Sequence, residues 1–158
     1  MFEETDFKVF DDHTLTGRLT RIRHDLDPKF EQAGAELLQH AKLTDLPPLF
    51  LHIAKHARRH KNPPVDTWLA LSTNPRGYKM LPHIELGFWD DRLFLWVALL
   101  QEAKLNGPDL SDLTPAVLRL GDSFELSGDH TDRLGAHRLT AANLAAQTQR
   151  YQTVKRER

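Results

Sequence analysis

Apolar residues between positions 15 and 41 recur at steps of three and four, which is the spacing of one face of an amphipathic helix. They are Leu15, Leu19, Ile22, Leu26, Phe30, Ala33, Leu37 and Ala41. Pro28 interrupts the pattern because it lacks a backbone N–H and restricts Asp27. The sequence therefore predicts two helices or one kinked helix, with Asp27 as the cap of the second part and Pro28 in its first turn. The apolar face is interpreted as core packing.

The middle of the chain changes to short segments rich in β-forming residues. Four strands are predicted, over residues 49–54, 65–72, 83–89 and 93–100. The third alternates, so that Ile84, Leu86 and Phe88 face one way. The fourth is apolar on both faces, which predicts a central strand covered on both sides. The sequence Asn74-Pro75-Arg76-Gly77 predicts a type I turn.

Local signals also divide the last third of the chain. Asn106-Gly107-Pro108 predicts a break, and Thr114-Pro115 predicts the start of a short helix that ends at Gly121. A strand is expected over 123–127, and Thr140 is expected to cap a helix over 141–150. The order of two helices, four strands, helix, strand and helix predicts an α+β fold with a largely antiparallel sheet, as one domain over residues 1–158.

Composition narrows the class of protein. The chain has 158 residues, of which 40% are hydrophobic and 27% charged, as is typical of a globular domain. The apolar run at 93–100 is far shorter than the roughly 20 residues that a membrane span needs. The acidic N-terminus lacks the pattern of a secretion signal. The chain has no cysteine, which excludes disulfides, thiolate nucleophiles and cysteine zinc sites. Together these features predict a cytoplasmic protein without a membrane partner.

Charge is unevenly distributed along the chain. The net charge is -1 with histidine neutral, which gives no reason to expect nucleic-acid binding. The segment from His52 to Lys79 nevertheless contains six lysine and arginine residues and the single acid Asp66. The remainder of the chain is therefore acidic, and the sequence predicts one positive region on a negative body.

Three histidines at four-residue intervals, His52, His56 and His60, invite comparison with a zinc site. Histidines four apart lie about 6 Å apart on a helix but some 13 Å apart on a strand, where they cannot share one ion. The segment before His52 is strand-like, and the neighbouring cations repel a dication. No metal and no cofactor is therefore predicted. Two interpretations stay open for this cluster: a solvated basic face and a surface that recognises an anion.

The leading hypothesis is a binding protein for a small phosphorylated or carboxylated ligand. Guanidinium groups match phosphate and carboxylate oxygens in pairs, lysines add point charges, and aromatic rings can stack on a ligand ring. Histidines are expected to donate hydrogen bonds. The predicted ligand-binding residues are Lys55, His56, Arg58, Arg59, Trp68, Arg76, Lys79, His83, Trp89 and His130.

Two alternatives come from other functional classes. The first is a hydrolase or transferase that uses His83, Glu85, Asp129 and His130 as acid–base groups. The second is binding of nucleic acid or protein through an exposed basic patch. The sequence shows no nucleophile elbow, phosphate-binding glycine loop or dinucleotide fingerprint, so no catalytic residue is assigned. The oligomeric state stays open.

Four segments resemble a known family. They are His52-x-Ala54-Lys55-His56-Ala57-Arg58-Arg59-x-x-Asn62-Pro63-Pro64-x-Asp66-Thr67-Trp68, Arg76-Gly77-Tyr78-Lys79-x-Leu81-Pro82-His83, Gly87-x-Trp89 and Ser127-Gly128-Asp129-His130-Thr131. The chain is similar to the DUF1054 family, also called UPF0637, from about Asp6 to the C-terminal helix. The resemblance implies a cytoplasmic bacterial protein with the curved antiparallel sheet of the TBP-like group, and it implies no established activity. Family members continue past the position of Lys155 with a strand-like segment and a helix, so an exposed edge strand is expected where that part is missing.

Overall fold

A nearly continuous helical run opens the chain in the computed structural model, which describes residues 1–105 and 110–153. A 3₁₀ helix, Glu4–Asp11, precedes α1, Leu15–Arg21. A π-helical segment, Ile22–Leu26, joins α1 to α2, Asp27–Ala41. The predicted break at 106–108 and the region beyond Lys155 lie outside the described residues.

The predicted capping role of Asp27 is wrong, because the helix does not restart there. The Asp27 N–H donates to Ile22 O, five residues back, so the chain passes through a widened turn without leaving the helix. Pro28 lies in the first turn of α2, as predicted. The wide turn just before Pro28 accommodates a residue that has no N–H to donate. The carboxylate atom Oδ1 of Asp27 is buried and has no hydrogen-bond partner among the described residues.

The sheet follows the predicted strands closely. Its four strands are β1, Phe50–Ile53, β2, Asp66–Ser72, β3, His83–Trp89, and β4, Leu93–Ala98. They are antiparallel and lie in the order β1-β2-β3-β4. A short 3₁₀ helix, Gln101–Leu105, follows β4. The α+β class with a largely antiparallel sheet is therefore confirmed, and the sheet is open.

The C-terminal third adds two helices and a small hairpin. The helices are α3, Leu110–Leu118, and α4, Ala141–Thr153. The hairpin pairs β5, Glu125–Ser127, with β6, Ala136–Arg138, and a 3₁₀ turn, Gly121–Ser123, precedes it. Strand β6 was not predicted, because three residues of the sequence Ala-His-Arg carry no β pattern.

Start signals were reliable for α4 and misleading for α3. The hydroxyl of Thr140 accepts a hydrogen bond from the Asn143 N–H at 3.1 Å, as predicted for a cap. The prediction that Thr114 caps α3 is wrong. Its hydroxyl donates to Leu110 O at 3.0 Å, since the helix has already begun and Pro115 lies inside it.

The two faces of the sheet differ in chemistry. The helices cover one face and form the core with it, through Val9, Phe10, Ile22, Leu26, Phe30, Leu69, Leu71 and Phe88. The strand register places a second set of side chains on the opposite face, which we call the polar face. It contains His52, Trp68, Ala70, Ser72, His83, Glu85, Gly87, Phe94 and Trp96.

The prediction that β4 is a central strand is wrong, because β4 lies at the edge of the sheet. Leu95 and Val97 point to the helix-covered side but are 63% and 73% exposed, since the helices do not extend over β4. A sequence that is apolar on both faces shows only that both faces can be buried. It does not show which neighbours are present to bury them.

Arg18 fixes the segment that leads into β2. Its guanidinium is buried and donates to Phe10 O at 2.6 Å, Pro64 O at 2.8 Å and Asp12 O at 2.8 Å. The group also lies 5.6 Å from the centre of the Phe10 ring. One side chain from α1 thereby ties the N-terminal 3₁₀ helix to Pro64, 46 residues away.

Candidate functional site

The most basic part of the sequence forms the loop between β1 and β2, residues 54–65, which we call the basic loop. The Ala54 N–H donates to Trp68 O at its beginning, and Arg18 holds Pro64 O at its end. Inside the loop, His56 has a φ of +48°, and its carbonyl accepts from the Arg59 N–H at 3.0 Å. A positive φ is uncommon outside glycine, and such strain is concentrated at functional sites.

The basic loop encloses a cavity against the helical run, which we call the His56 cavity. Its volume is about 350 Å³. It is lined by Leu19, Ile22, Arg23, Asp27, Ala54, Lys55, His56 and Ala57. The π-helical segment contributes two of these residues, and π-helical turns recur at functional sites. The cavity therefore combines an apolar wall with two fixed cations, one carboxyl group and one imidazole.

The imidazole of His56 is held in its neutral form. Burial, followed by the charges of Arg59 and Arg23, lowers the pKa of His56 to about 4. The ring atom Nε2 lies 3.1 Å from the Thr67 hydroxyl, and the ring meets Trp68 edge-on at 5.7 Å. Burial also raises the pKa of the Asp27 carboxyl, against the effect of Arg23.

The remaining predicted cations are not gathered at this cavity. Arg58, Arg76 and Lys79 are exposed, and none of them forms an ion pair within residues 1–105 and 110–153. Arg76 and Lys79 lie in the loop between β2 and β3, which leaves β2 at the end opposite the basic loop. Arg59 is the exception, because its charge acts on both His56 and Asp66.

A second group of predicted residues meets on the polar face around Tyr78. The indole Nε1 of Trp68 donates to the Tyr78 hydroxyl at 3.2 Å. The Tyr78 ring centre lies 4.9 Å from that of His83 and 5.8 Å from that of His52. Burial raises the pKa of Tyr78 to about 12. These contacts fold the loop after β2 back over the sheet, so that Trp68 lies between Tyr78 and His56.

His83 and Glu85 form a pair that is sealed from solvent, with side chains 0% and 1% exposed. His83 Nδ1 lies 2.8 Å from Leu81 O, which can only accept, so Nδ1 carries a proton. Nε2 lies 3.1 Å from Glu85 Oε1, so one further proton is shared between imidazole and carboxylate. Because the pair does not reach solvent, its geometry suits an internal structural link better than contact with a substrate.

Two further predicted residues lie apart from the His56 cavity. Trp89 is buried, and its ring packs 5.8 Å from Phe94. His130 lies in the loop between β5 and β6, where its charge acts on Asp66. Neighbouring Asp129 accepts hydrogen bonds from the N–H and hydroxyl of Thr131, which lower its pKa.

The three histidines at four-residue spacing point to different partners. His52 Nε2 lies 2.9 Å from Asn74 O, His56 contacts Thr67, and His60 is exposed. Within residues 1–105 and 110–153, no three histidine, aspartate or glutamate side chains are grouped as metal ligands.

Two lining residues of the His56 cavity, Arg23 and Asp27, were missed by sequence reasoning. Both lie on the helical run, about 30 positions before His56. The only local signal was the interruption at Pro28, which marks the turn where both residues lie. Their proximity to the basic loop depends on tertiary packing, which no spacing in the sequence encodes.

Comparison with known proteins places the chain in a family. Residues 2–158 match the family described as "Domain of unknown function (DUF1054)". A UPF0637 protein of Levilactobacillus brevis is 48% identical over 148 residues, covering 92% of this chain and 73% of the relative. The corresponding values are 46% over 156 residues, 99% and 77% for a UPF0637 protein of Lacticaseibacillus casei. A UPF0637 protein of Shouchella clausii is 36% identical over 165 residues, covering 98% and 75%.

The match spans the whole region that carries the basic loop, the polar face and the β5–β6 loop. No helix among the described residues is long and apolar enough to cross a bilayer. The relatives are bacterial, and their name assigns no activity. The chain belongs to the DUF1054 (UPF0637) family.

Proposed function

We propose that this protein binds a small phosphorylated or carboxylated ligand in the His56 cavity. The supporting observation is that Arg23 from the helical run and Lys55 and His56 from the basic loop line one cavity, beside an apolar surface. Neither Arg23 nor Lys55 forms an ion pair with any described residue. Both side chains are exposed, and Arg23 also acts on the Asp27 carboxyl of the same cavity. Cations that line a cavity without forming an ion pair are positioned to receive an anion.

The state of His56 is consistent with an anion at this place. Burial is the largest cause of the lowered pKa of His56, and the positive charges of Arg59 and Arg23 lower it further. An anion in the cavity would cancel part of that charge, while the imidazole offers a hydrogen-bond donor or acceptor. The left-handed backbone of His56 holds the ring over the cavity at a cost of about 1–3 kcal/mol, which the loop must offset elsewhere.

The size of the cation set limits the expected affinity. Two or three charge-assisted hydrogen bonds contribute about 1.5–3 kcal/mol each, against an association cost of about 4–15 kcal/mol. Phosphate alone should therefore bind weakly. A ligand with an apolar or ring portion would also contact Leu19, Ile22 and Ala54, and we expect it to bind more tightly than phosphate.

The direct test is a titration with inorganic phosphate, a sugar phosphate, a nucleoside monophosphate and a dicarboxylate, followed by tryptophan fluorescence. The ring of Trp68 touches His56 and provides the signal. Arg23→Gln and Lys55→Gln are each expected to weaken binding about 10- to 100-fold, because each removes one charge-assisted contact.

Arg58→Gln and Lys61→Gln are the matched controls, since both residues are exposed cations of the basic loop outside the cavity lining. They should change the affinity by less than about twofold. Absence of a response to every ligand at millimolar concentration would contradict the proposal. Equal weakening by the control variants would instead indicate a diffuse basic patch of the kind that binds nucleic acid, with affinity that collapses in salt.

A further inference from the structure

The His56 cavity carries charges of both signs. Arg23 and Lys55 supply positive charge, and Asp27 supplies the single carboxyl group of the described lining. An anion alone would be attracted by the two cations but would also face the carboxyl group of Asp27. A cation alone would be repelled by Arg23 and Lys55. The lining therefore suits a ligand that itself carries a negative group and a positive group.

Arg23 and Asp27 lie four positions apart on the helical run but form no ion pair, although both are among the residues that the structure describes. On an α-helix, side chains at this spacing are neighbours and opposite charges commonly pair. The chain between them is the π-helical segment, in which the Asp27 N–H donates to Ile22 O. This wider turn changes the α-helical alignment of the two side chains. Both charges therefore line the cavity without a direct contact between them.

The carboxyl group of Asp27 lacks a hydrogen-bond donor. It accepts no hydrogen bond from any residue within 1–105 or 110–153. Burial raises the pKa of Asp27, and the charge of Arg23 opposes that rise from a distance. The side chain is half-buried and lines the cavity, so a ligand can reach it. An ammonium group of a ligand would supply both the missing donor and a closer positive charge.

The volume and the apolar lining limit the size of the ligand. Sites for small molecules usually measure about 300–1,000 Å³. The His56 cavity, at about 350 Å³, lies at the lower end of this range, which suits an amino acid better than a nucleotide. Leu19, Ile22, Ala54 and Ala57 form the apolar part of the lining, against which an aliphatic side chain can pack.

We propose that the ligand of the His56 cavity is a zwitterion of the α-amino acid class with an aliphatic side chain. The carboxylate of the ligand would bind Arg23 and Lys55, its ammonium group would bind Asp27, and its side chain would pack against Leu19 and Ala57. The inference rests on the proposed function, because it requires that this cavity binds a carboxylated ligand. It adds a role for Asp27, which anion binding alone does not use.

The test compares leucine with three analogues on the wild-type protein, with the tryptophan fluorescence of Trp68 as the signal. Leucine carries both charges. The analogue 4-methylpentanoate lacks the amine, isoamylamine lacks the carboxylate, and the α-hydroxy analogue replaces the ammonium group by a neutral hydroxyl. Leucine should bind at least about 10-fold more tightly than each analogue, since each lacks one charge-assisted contact.

The outcomes distinguish this inference from the proposed function. If 4-methylpentanoate or a phosphate binds but leucine binds no more tightly than 4-methylpentanoate, the zwitterion assignment is overturned and the proposed function stands. Equal binding of leucine and its hydroxy analogue would also overturn the assignment, because a positive charge beside Asp27 would then contribute nothing. Absence of binding by every carboxylate and phosphate at millimolar concentration would overturn both proposals.

Asp27→Asn tests the residue that the proposal adds. The change keeps the size of the side chain and removes its charge, so the preference for leucine over 4-methylpentanoate should fall to within about twofold. Asp25→Asn is the matched control and should keep the preference, since Asp25 is exposed, pairs with His24 and lies outside the cavity lining. An unchanged preference in Asp27→Asn would overturn the role of Asp27. The ligand series on the wild-type protein decides the zwitterion assignment even if this variant is unstable.

Discussion

Replacing Glu85 by alanine is expected to lower the free energy of unfolding by about 3–5 kcal/mol, as is typical when one partner of a buried pair is removed. Glu85 and His83 are buried away from solvent. The Glu85 carboxylate lies 3.1 Å from Nε2 of His83 and is the hydrogen-bond partner of that nitrogen. Without the carboxylate, that nitrogen would stay buried and would lose its hydrogen-bond partner. Urea denaturation followed by circular dichroism would measure the loss.

A double-mutant cycle with His83→Leu separates this pairing from simple loss of packing. The variant that carries both His83→Leu and Glu85→Leu leaves no polar group of the pair behind, so its loss of stability should be smaller than the sum of the single losses. The expected coupling is at least about 1 kcal/mol. Additive losses would mean that the two side chains do not depend on each other.

Replacing Arg18 by methionine is expected to lower the free energy of unfolding by about 3–5 kcal/mol. The change keeps much of the apolar stem but leaves the carbonyl groups of Phe10 and Pro64 buried without their donor, at about 1–3 kcal/mol each, and removes a further bond to Asp12. Thermal and urea denaturation would measure the loss. Because Arg18 anchors Pro64, we also expect weaker anion binding in this variant.

Arg21→Met is the matched control for Arg18→Met. Arg21 lies one turn further along the same helix, is half-exposed and reaches Asp12 only at 3.7 Å. An exposed pair of this kind contributes about 0–1 kcal/mol. A loss for Arg21→Met as large as that for Arg18→Met would show that the cation matters only through the net charge of the helix.

The sheet could be predicted from sequence where the pattern reports local geometry. The alternation from His83 to Trp89 gave β3 its bounds, and the turn signals on either side separated it from β2 and β4. The position of β4 at the edge could not be predicted, because exposure of Leu95 and Val97 depends on where the helices end in space. Strand β6 was missed because its sequence is short and largely polar. It is a strand because it pairs with β5.

The candidate site was predictable only in part, for a similar reason. The basic loop could be recognised in the sequence from its density of positive charges. Its residues Lys55 and His56 line a cavity in the structure. Arg76 lies at the end of β2 opposite Arg58 and Arg59, so these three arginines do not share one hollow, and their role in ligand binding stays a prediction. Arg23 completes the cation set of the cavity from the helical run, so part of the charge of the cavity comes from a different part of the sequence.

Some acidic residues outside the basic loop can be placed relative to it in the structure. The basic loop lies between β1 and β2, whereas the carboxylates of Glu125 and Asp129 lie at the opposite edge of the sheet, beyond β4. Cations lie near these carboxylates, since Arg92 acts on Glu125 and Arg150 acts on Asp129. Acidic and basic side chains are therefore mixed at that edge, and the excess of positive charge is local to the basic loop.

The most direct test of the proposed function is the pKa of His56, measured by NMR from the ring signals with and without phosphate. We expect a pKa of about 4 in the free protein, well below the usual 6.5. The unfolded chain then binds the proton more tightly, so His56 lowers stability as the pH falls from about 6.5 to about 4. Phosphate should raise the pKa in the wild type and not in Arg23→Gln. A pKa near 6.5 that phosphate leaves unchanged would contradict the account.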